Sequence, residues 1–531
     1  MGFWTLAGSS RAAAIGVMSL MAVVTAARAD EPLDTANALY SAIEIDRRRA
    51  LVILPVLHAM ESPPKEPGDY LGAFMMTPQN VNWEAAAAWA TGEKQQAVIK
   101  ALTTVTGEDD WRNRWAFGQP YGAGAVEPKF VDMGLYTELG EDNTLAAAQF
   151  LYLPAVRRME ILCHVEATRL LADGKGNEAL DLMRKWAWFS FQISAREMLK
   201  EKMAGMEMLS LAFARMRDLA YTDMISDKPS MTAEGVRDVI AKLGDRNPVN
   251  VERLSLPAAE KLAALQLVAR TFTPDGGPKA SAFARVFAQV AAGRRPLRRF
   301  SETAKWDTLQ KLHGNYTDTS KRIRDVYGDW DRRWDLSQWD SIQELPTDYA
   351  RLDKVQFAAL DLVMGDVGLA FPQRRELRAE WIGTRAALGC YGYLLRQGSL
   401  PIKLDSVVPQ YVGKISLMND PFDKDAKEDR GRRVAYIRAE VDNMEFGGSP
   451  KPILIRVFPK VAGVEYPNFE AKVLRNQFVI YSAGPDGNQN GVSRATQMVK
   501  DEHGDYLIWP PVLSLARQFR IDNASRPQDR P

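Results

Sequence analysis

Two cysteines and four histidines are all that this chain of 531 residues carries. Two thiols are too few for a disulfide framework, a four-cysteine zinc site or an iron–sulfur cluster. The histidines, at positions 58, 164, 313 and 503, form no HExxH pair and no His-rich metal cage. Charge of one sign is missing too: 68 Lys and Arg stand against 67 Asp and Glu, a formal net charge of +1. That balance argues against a dedicated nucleic-acid binder, which needs a basic face to release counterions. No GxSxG elbow, GxxxxGK loop or GxGxxG fingerprint occurs, so nucleotide chemistry and the commonest serine hydrolase arrangement lose their usual support.

What is present is an ordinary globular composition. An apolar share of 46% is enough for real cores, and at roughly 100–200 residues per domain the length suggests two to four domains. Residues 1–29 read as a secretory signal peptide: Arg11, an apolar run from Ala12 to Val24, and a small-x-small site ending at Ala29. The run is shorter than the roughly 20 apolar residues of a membrane span, and no Cys follows it to accept a lipid. Cleavage after Ala29 removes Arg11 and Arg28 and tips the balance to one excess acid. The expected location is periplasmic or secreted, with no transmembrane span after cleavage, protein partners in the cell envelope, and no nucleic acid among the partners.

Along the mature chain, Leu33, Ala36, Leu39, Tyr40 and Ile43 predict an amphipathic helix running to about Met60. Six prolines between Pro63 and Pro128 predict short helices and packed loops up to about residue 145. From Ala146 to Tyr221 the pattern is strongly helical. Val156, Met159, Cys163, Ala167 and Leu170 line one face, a break follows at Ala172-Asp173-Gly174-Lys175-Gly176, and Ala179, Leu182, Met183 and Trp186 begin a second stripe. This is a helix hairpin, suited to holding a partner helix or peptide. It looks like one tetratricopeptide-type unit, but no second copy follows at the period a solenoid needs.

Cys163 beside His164 invites a Cys-His nucleophile, yet neighbours on a helix point about 100° apart. The reading that follows is a core thiol next to a surface histidine, with His164 on the side of Arg157, Glu160 and Thr168. A Cys163–Cys390 disulfide is permitted in an oxidising compartment but is not testable from spacing. Arg294, Arg295, Arg298 and Arg299 form a basic patch or a solvated helix end. Trp306, Trp330, Trp334 and Trp339 lie among carboxylates, as in a sugar-binding cleft; Trp330 and Trp334 share a helix face, which also suits a core.

A helix from about Arg374 to Arg396 ends at Gln397-Gly398. Alternation then takes over: Ile453, Ile455 and Val457 fall on one side of a strand, and Phe478, Ile480 and Ser482 alternate with Val479 and Tyr481. Within this region stand Gly398-Ser399-Leu400-Pro401, Val408-Pro409-Gln410-Tyr411, Asp420-Pro421-Phe422 and Tyr481-Ser482-Ala483-Gly484-Pro485-Asp486-Gly487. The order of elements and these words resemble the soluble domain of type II secretion major pseudopilins, over residues 374–497. The chain as a whole is similar to large exported bacterial envelope proteins with a helical region before such an end. The resemblance implies a long helix closing into a small sheet and a calcium-binding loop; it implies no activity. Gly2-Phe3-Trp4-Thr5-Leu6-Ala7 lacks the Glu of a prepilin processing site, so a filament subunit is not expected.

Asp486, Asn488 and Asn490 place side-chain oxygens at alternate positions, with Gly491 sixth, as in the opening of a calcium loop. The twelfth position is Gln497 where a bidentate Glu is wanted. A metal-free turn accounts for the same residues. Asp501-Glu502-His503-Gly504-Asp505 follows and offers further oxygens. The expected fold is therefore α+β: residues 30–345 mostly helical with helix hairpins, then residues 346–531 as a long helix plus a small antiparallel, pseudopilin-like sheet. The expected function is a non-enzymatic envelope scaffold or protein-interaction role linked to secretion or surface assembly. The alternative is an exported hydrolase of polysaccharide or peptide, with a cleft near Trp306–Trp339. Calcium is the one expected cofactor, and no catalytic residue is assigned.

Overall fold

The computed structural model describes residues 31–107, 115–244, 249–274, 276–280, 282–294, 302–424, 431–439, 452–457, 460–461, 464–465, 468–473, 477–489, 491–492, 495–496 and 504–524. The expected signal peptide, Arg295, Arg298, Arg299, Asn490, Gln497, Asp501, Glu502 and His503 lie outside them.

The architecture is α+β, with helices dominating the chain up to Gln397 and a six-stranded sheet after it. The hairpin forms as expected, from helices Leu153–Ala172 and Gly176–Ser194. A third helix, Leu199–Met224, packs along the second and is buried on nearly every side. The long helix Ala370–Gln397 lies against this central helix, and Gly398 ends it in the left-handed conformation that suits a glycine cap.

Three local expectations are corrected. The stretch from Leu33 to Met60 is two helices, Glu31–Ser41 and Arg49–Ala59. Between them Arg47 and Arg49 exchange backbone hydrogen bonds with Ala116, and the Arg48 side chain donates to the carbonyls of Ile43 and Ser41, which pulls the chain out of helix. Residues Thr144–Phe150 are a strand paired antiparallel with Thr137–Gly140, not the start of a helix. His164 is fully buried rather than on the surface, because Phe74 and Arg215 cover the side of the helix it faces.

In the sheet the spatial order is Ala435–Arg438, Phe478–Ser482, Asp505–Trp509, Ala495–Thr496, Ile453–Val457 and Phe469–Val473. All neighbours are antiparallel except the short strand Ala495–Thr496, which runs parallel to both of its partners. Ile453, Ile455 and Val457 are buried while Leu454 and Arg456 are exposed, as alternation predicts. Phe478–Ser482 and Asp505–Trp509 are instead buried on both faces. Phe478, Ile480, Tyr506 and Ile508 join the main core with the long helix, whereas Val479, Tyr481 and Leu507 join a second core under helix Val512–Ala524. Gly383 lets the long helix approach this closely: a Cβ there would sit 2.6 Å from the Ile508 side chain.

Candidate functional site

The loop expected to hold calcium is closed by protein groups. The Asn488 amide donates to Asp486 Oδ1 at 2.8 Å, an Asx turn, and Lys424 Nζ donates to Asn488 Oδ1 at 3.2 Å. The same ammonium lies 5.1 Å from the Trp339 ring centre, and the Trp339 indole donates to the Phe422 carbonyl at 3.0 Å. Asn490 and Gln497 lie outside the described residues. Two of the quoted sequence words meet here: Asp420 accepts from Ser482 Oγ at 2.6 Å, from the Ala483 amide at 2.8 Å and from the Phe422 amide at 3.0 Å. They tie the sheet to the loop that leads into it. Among the described residues, no three His, Cys, Asp or Glu side chains are grouped to hold a metal.

The tryptophans proposed to line a cleft are core. Trp306, Trp330 and Trp334 are buried, Trp306 stacked on Phe287 and Trp334 donating to the Leu254 carbonyl at 2.6 Å. Trp339 is half-buried in the junction above. Cys163 and Cys390 are free, buried thiols, so the permitted disulfide does not form. Burial pushes the Cys163 thiol well up, which makes it a poor nucleophile.

A groove that the sequence did not announce lies where four distant segments converge. The end of the first hairpin helix supplies Thr168, Leu171, Ala172 and Asp173, and the central helix supplies Arg215, Leu219, Thr222 and Asp223. Met76, Thr77, Pro78 and Gln79 form one wall, and Arg517 reaches in from helix Val512–Ala524. The groove encloses about 580 Å³. It adjoins a second hollow of about 440 Å³ lined by Met75, Arg520 and Ile521, with Met76, Thr77, Gln79 and Arg517 common to both.

Its floor is an ion cluster. Asp218 Oδ2 accepts from Arg215 and from Arg517, and Oδ1 accepts from Arg517 and from Ser514 Oγ at 2.6 Å. Burial alone would raise Asp218, but Arg517 and Arg215 overcome it and hold the carboxyl below its ordinary range. Burial pulls Arg215 down to about 10, against the pull of Asp218. Arg215 also donates to Thr168 Oγ1 and to the His164 carbonyl, while its buried Nε has no acceptor. His164 itself is held neutral, first by burial and then by Arg215. The acids on the walls are already engaged: Asp173 with Arg169 at 2.6 Å, and Asp223 with the Ser230 amide and hydroxyl, the Met231 amide and the Tyr391 hydroxyl.

The result is two guanidiniums over one buried carboxylate, with Arg215 buried and Arg517 partly exposed to the groove. A hollow of about 740 Å³ beneath the Thr137–Phe150 hairpin lacks this feature, since its Arg270 and Arg285 are taken by Thr144 and Glu141. The only local hint of the cluster was the three-residue spacing of Arg215 and Asp218, common on any helix. The chain matches no protein-family model, no curated protein and no solved structure.

Proposed function

We propose that the protein is an exported, non-enzymatic scaffold of the cell envelope that holds partner proteins, and that the groove between the hairpin and helix Val512–Ala524 is where a partner docks. One observation carries the reading: a buried and a partly exposed arginine, sharing a single aspartate, floor an open groove built from elements far apart in sequence. Cation pairs of this kind are stable anchors for an incoming group, because the protein has already met much of the cost of removing water from them. Burial of Trp306, Trp330 and Trp334 withdraws the aromatic platform on which the hydrolase alternative rested. Export draws on the signal-like residues 1–29, and a secretion-linked role on the pseudopilin-like words between Gly398 and Gly487. No helix among the described residues is long and apolar enough to cross a membrane.

The test is site-specific photocrosslinking in cells. A photoreactive residue replacing Gln79, on the groove wall, is expected to give a discrete adduct with another envelope protein; one replacing Leu312, exposed away from the groove, is not. Turnover of a polysaccharide or peptide by the purified chain, with no adduct at position 79, would reverse the assignment in favour of a hydrolase. Cell fractionation and the mass of the mature chain test export and cleavage after Ala29.

A further inference from the structure

We propose that the groove recognises a single carboxylate of an acidic peptide segment, held by Arg517 above the Arg215–Asp218 pair. This rests on the reading of the groove as a docking place and adds the chemistry of what docks there. Charge sets the class of ligand. Arg215 and Arg517 share only Asp218, which leaves one positive charge in excess at the floor. With Lys228 and Arg520 beside Asp223, Asp173 and Glu66 in the walls, the excess stays small, so a monovalent carboxylate is accommodated and a phosphate dianion is repelled more strongly by the same acids.

Donor capacity is present as well. Arg517 supplies it: the side chain is partly exposed and makes three of its bonds at 3.3 Å, long enough to yield to a better acceptor, while Arg215 is committed to Asp218, Thr168 and the His164 and Phe74 carbonyls. Shape points to a peptide: two hollows meet at Arg517, and their walls mix Met75, Leu171 and Leu219 with Thr77, Gln79 and Thr222. Such an elongated, mixed surface takes apolar and polar side chains on either side of an anchored carboxylate.

The experiment uses the full mature chain and fluorescence anisotropy with a labelled, C-terminally amidated Ala-Leu-Glu-Thr-Ala peptide that carries a single carboxylate, its glutamine counterpart and inorganic phosphate as competitor. The expected result is saturable binding of the glutamate peptide, at least tenfold weaker binding of the glutamine peptide, and no competition by millimolar phosphate. Arg517→Gln, which leaves Arg215 paired with Asp218, is expected to weaken binding about tenfold, and Lys228→Gln at the rim less so. Equal binding of both peptides, or an unchanged affinity in a folded Arg517→Gln chain, overturns the proposal. Displacement by phosphate replaces the carboxylate with a phosphate as the ligand. Absence of peptide binding alongside a persistent crosslink at position 79 overturns carboxylate recognition and leaves the scaffold reading standing; peptide binding without a crosslink does the reverse.

Discussion

Of the three buried carboxylates on the central helix Leu199–Met224, Glu201 and Asp218 have opposite fates. Near its start, Glu201 accepts from Arg196 Nε at 2.9 Å, from Tyr121 at 2.9 Å and from Tyr152. The Arg196 guanidinium lies 3.9 Å from the Tyr40 ring centre and 4.6 Å from that of Tyr121, so the cation is wrapped in aromatic faces and the pair is sealed. Further along, Asp218 has two arginines instead of one, and the extra cation faces a groove. One charge matched inside a closed shell is a structural rivet. One charge in excess beside open space is the feature on which the proposed docking rests.

Breaking the rivet should have the largest effect. Glu201→Gln leaves Arg196 as an unpaired buried cation and is expected to lower unfolding free energy by about 3–5 kcal/mol, read by urea denaturation. A loss under 1 kcal/mol would mean that the aromatic faces alone neutralise Arg196. Asp218→Asn should cost less, about 1–3 kcal/mol, because Arg517 is partly exposed and Arg215 keeps Thr168 and the His164 and Phe74 carbonyls as acceptors. Its sharper signature is opposite in sign: with the aspartate gone, binding of an acidic peptide is expected to tighten while stability falls. Parallel loss of both would put the two carboxylates in the same structural class.

A smaller effect concerns the buried pair Glu160 and His164 on the first hairpin helix. Burial lifts Glu160 to about 7, against the pull of Arg157, and the carboxylate lies 4.0 Å from His164 Nε2. The folded chain therefore holds this proton more tightly than the unfolded one. Its contribution is full below the unfolded value near 4.3 and is lost as pH rises towards 7. His164, whose folded value is depressed, works the other way: its contribution is present above about 6.5 and lost as pH falls below that. Glu160→Gln keeps an acceptor for Arg157 and removes the first effect alone. The variant is expected to gain about 1–3 kcal/mol over the parent at pH 8 and little at pH 5, and equal gains at both would show that Glu160 does not titrate in this range. The smallest effect concerns Lys424. Its ammonium sits on Asn488 Oδ1, so Lys424→Gln should allow millimolar calcium to raise the thermal midpoint more than it does in the parent. No difference would leave the loop a metal-free turn.

Periodicity exposed the parts of the fold with one buried face. The hairpin stripes, the Gly398 cap and the alternation of Ile453, Ile455 and Val457 were all legible. It failed where burial is two-sided. The central helix buries charged and apolar residues all round, so no stripe marks it as the hub. His164 falls on a face with Arg157, Glu160 and Thr168, which reads as polar; what covers it, Phe74, comes from another segment. The Thr144–Phe150 strand was hidden by its run of alanines, residues that favour helix until a partner strand is supplied. The groove was invisible for the same reason in larger form. Residues 76–79, 168–173, 215–223 and 517 share no local pattern, and tertiary packing alone brings them together.

Arg517 lies 299 positions beyond the aspartate it completes. On the ribosome, Asp218 and Arg215 are made and can pair long before Ser514 and Arg517 exist, so a nascent or clipped chain has the rivet at Glu201 but not the finished floor. Contacts of such sequence separation form last. The finished floor thereby exists only in molecules whose synthesis and folding have reached the helix at Val512.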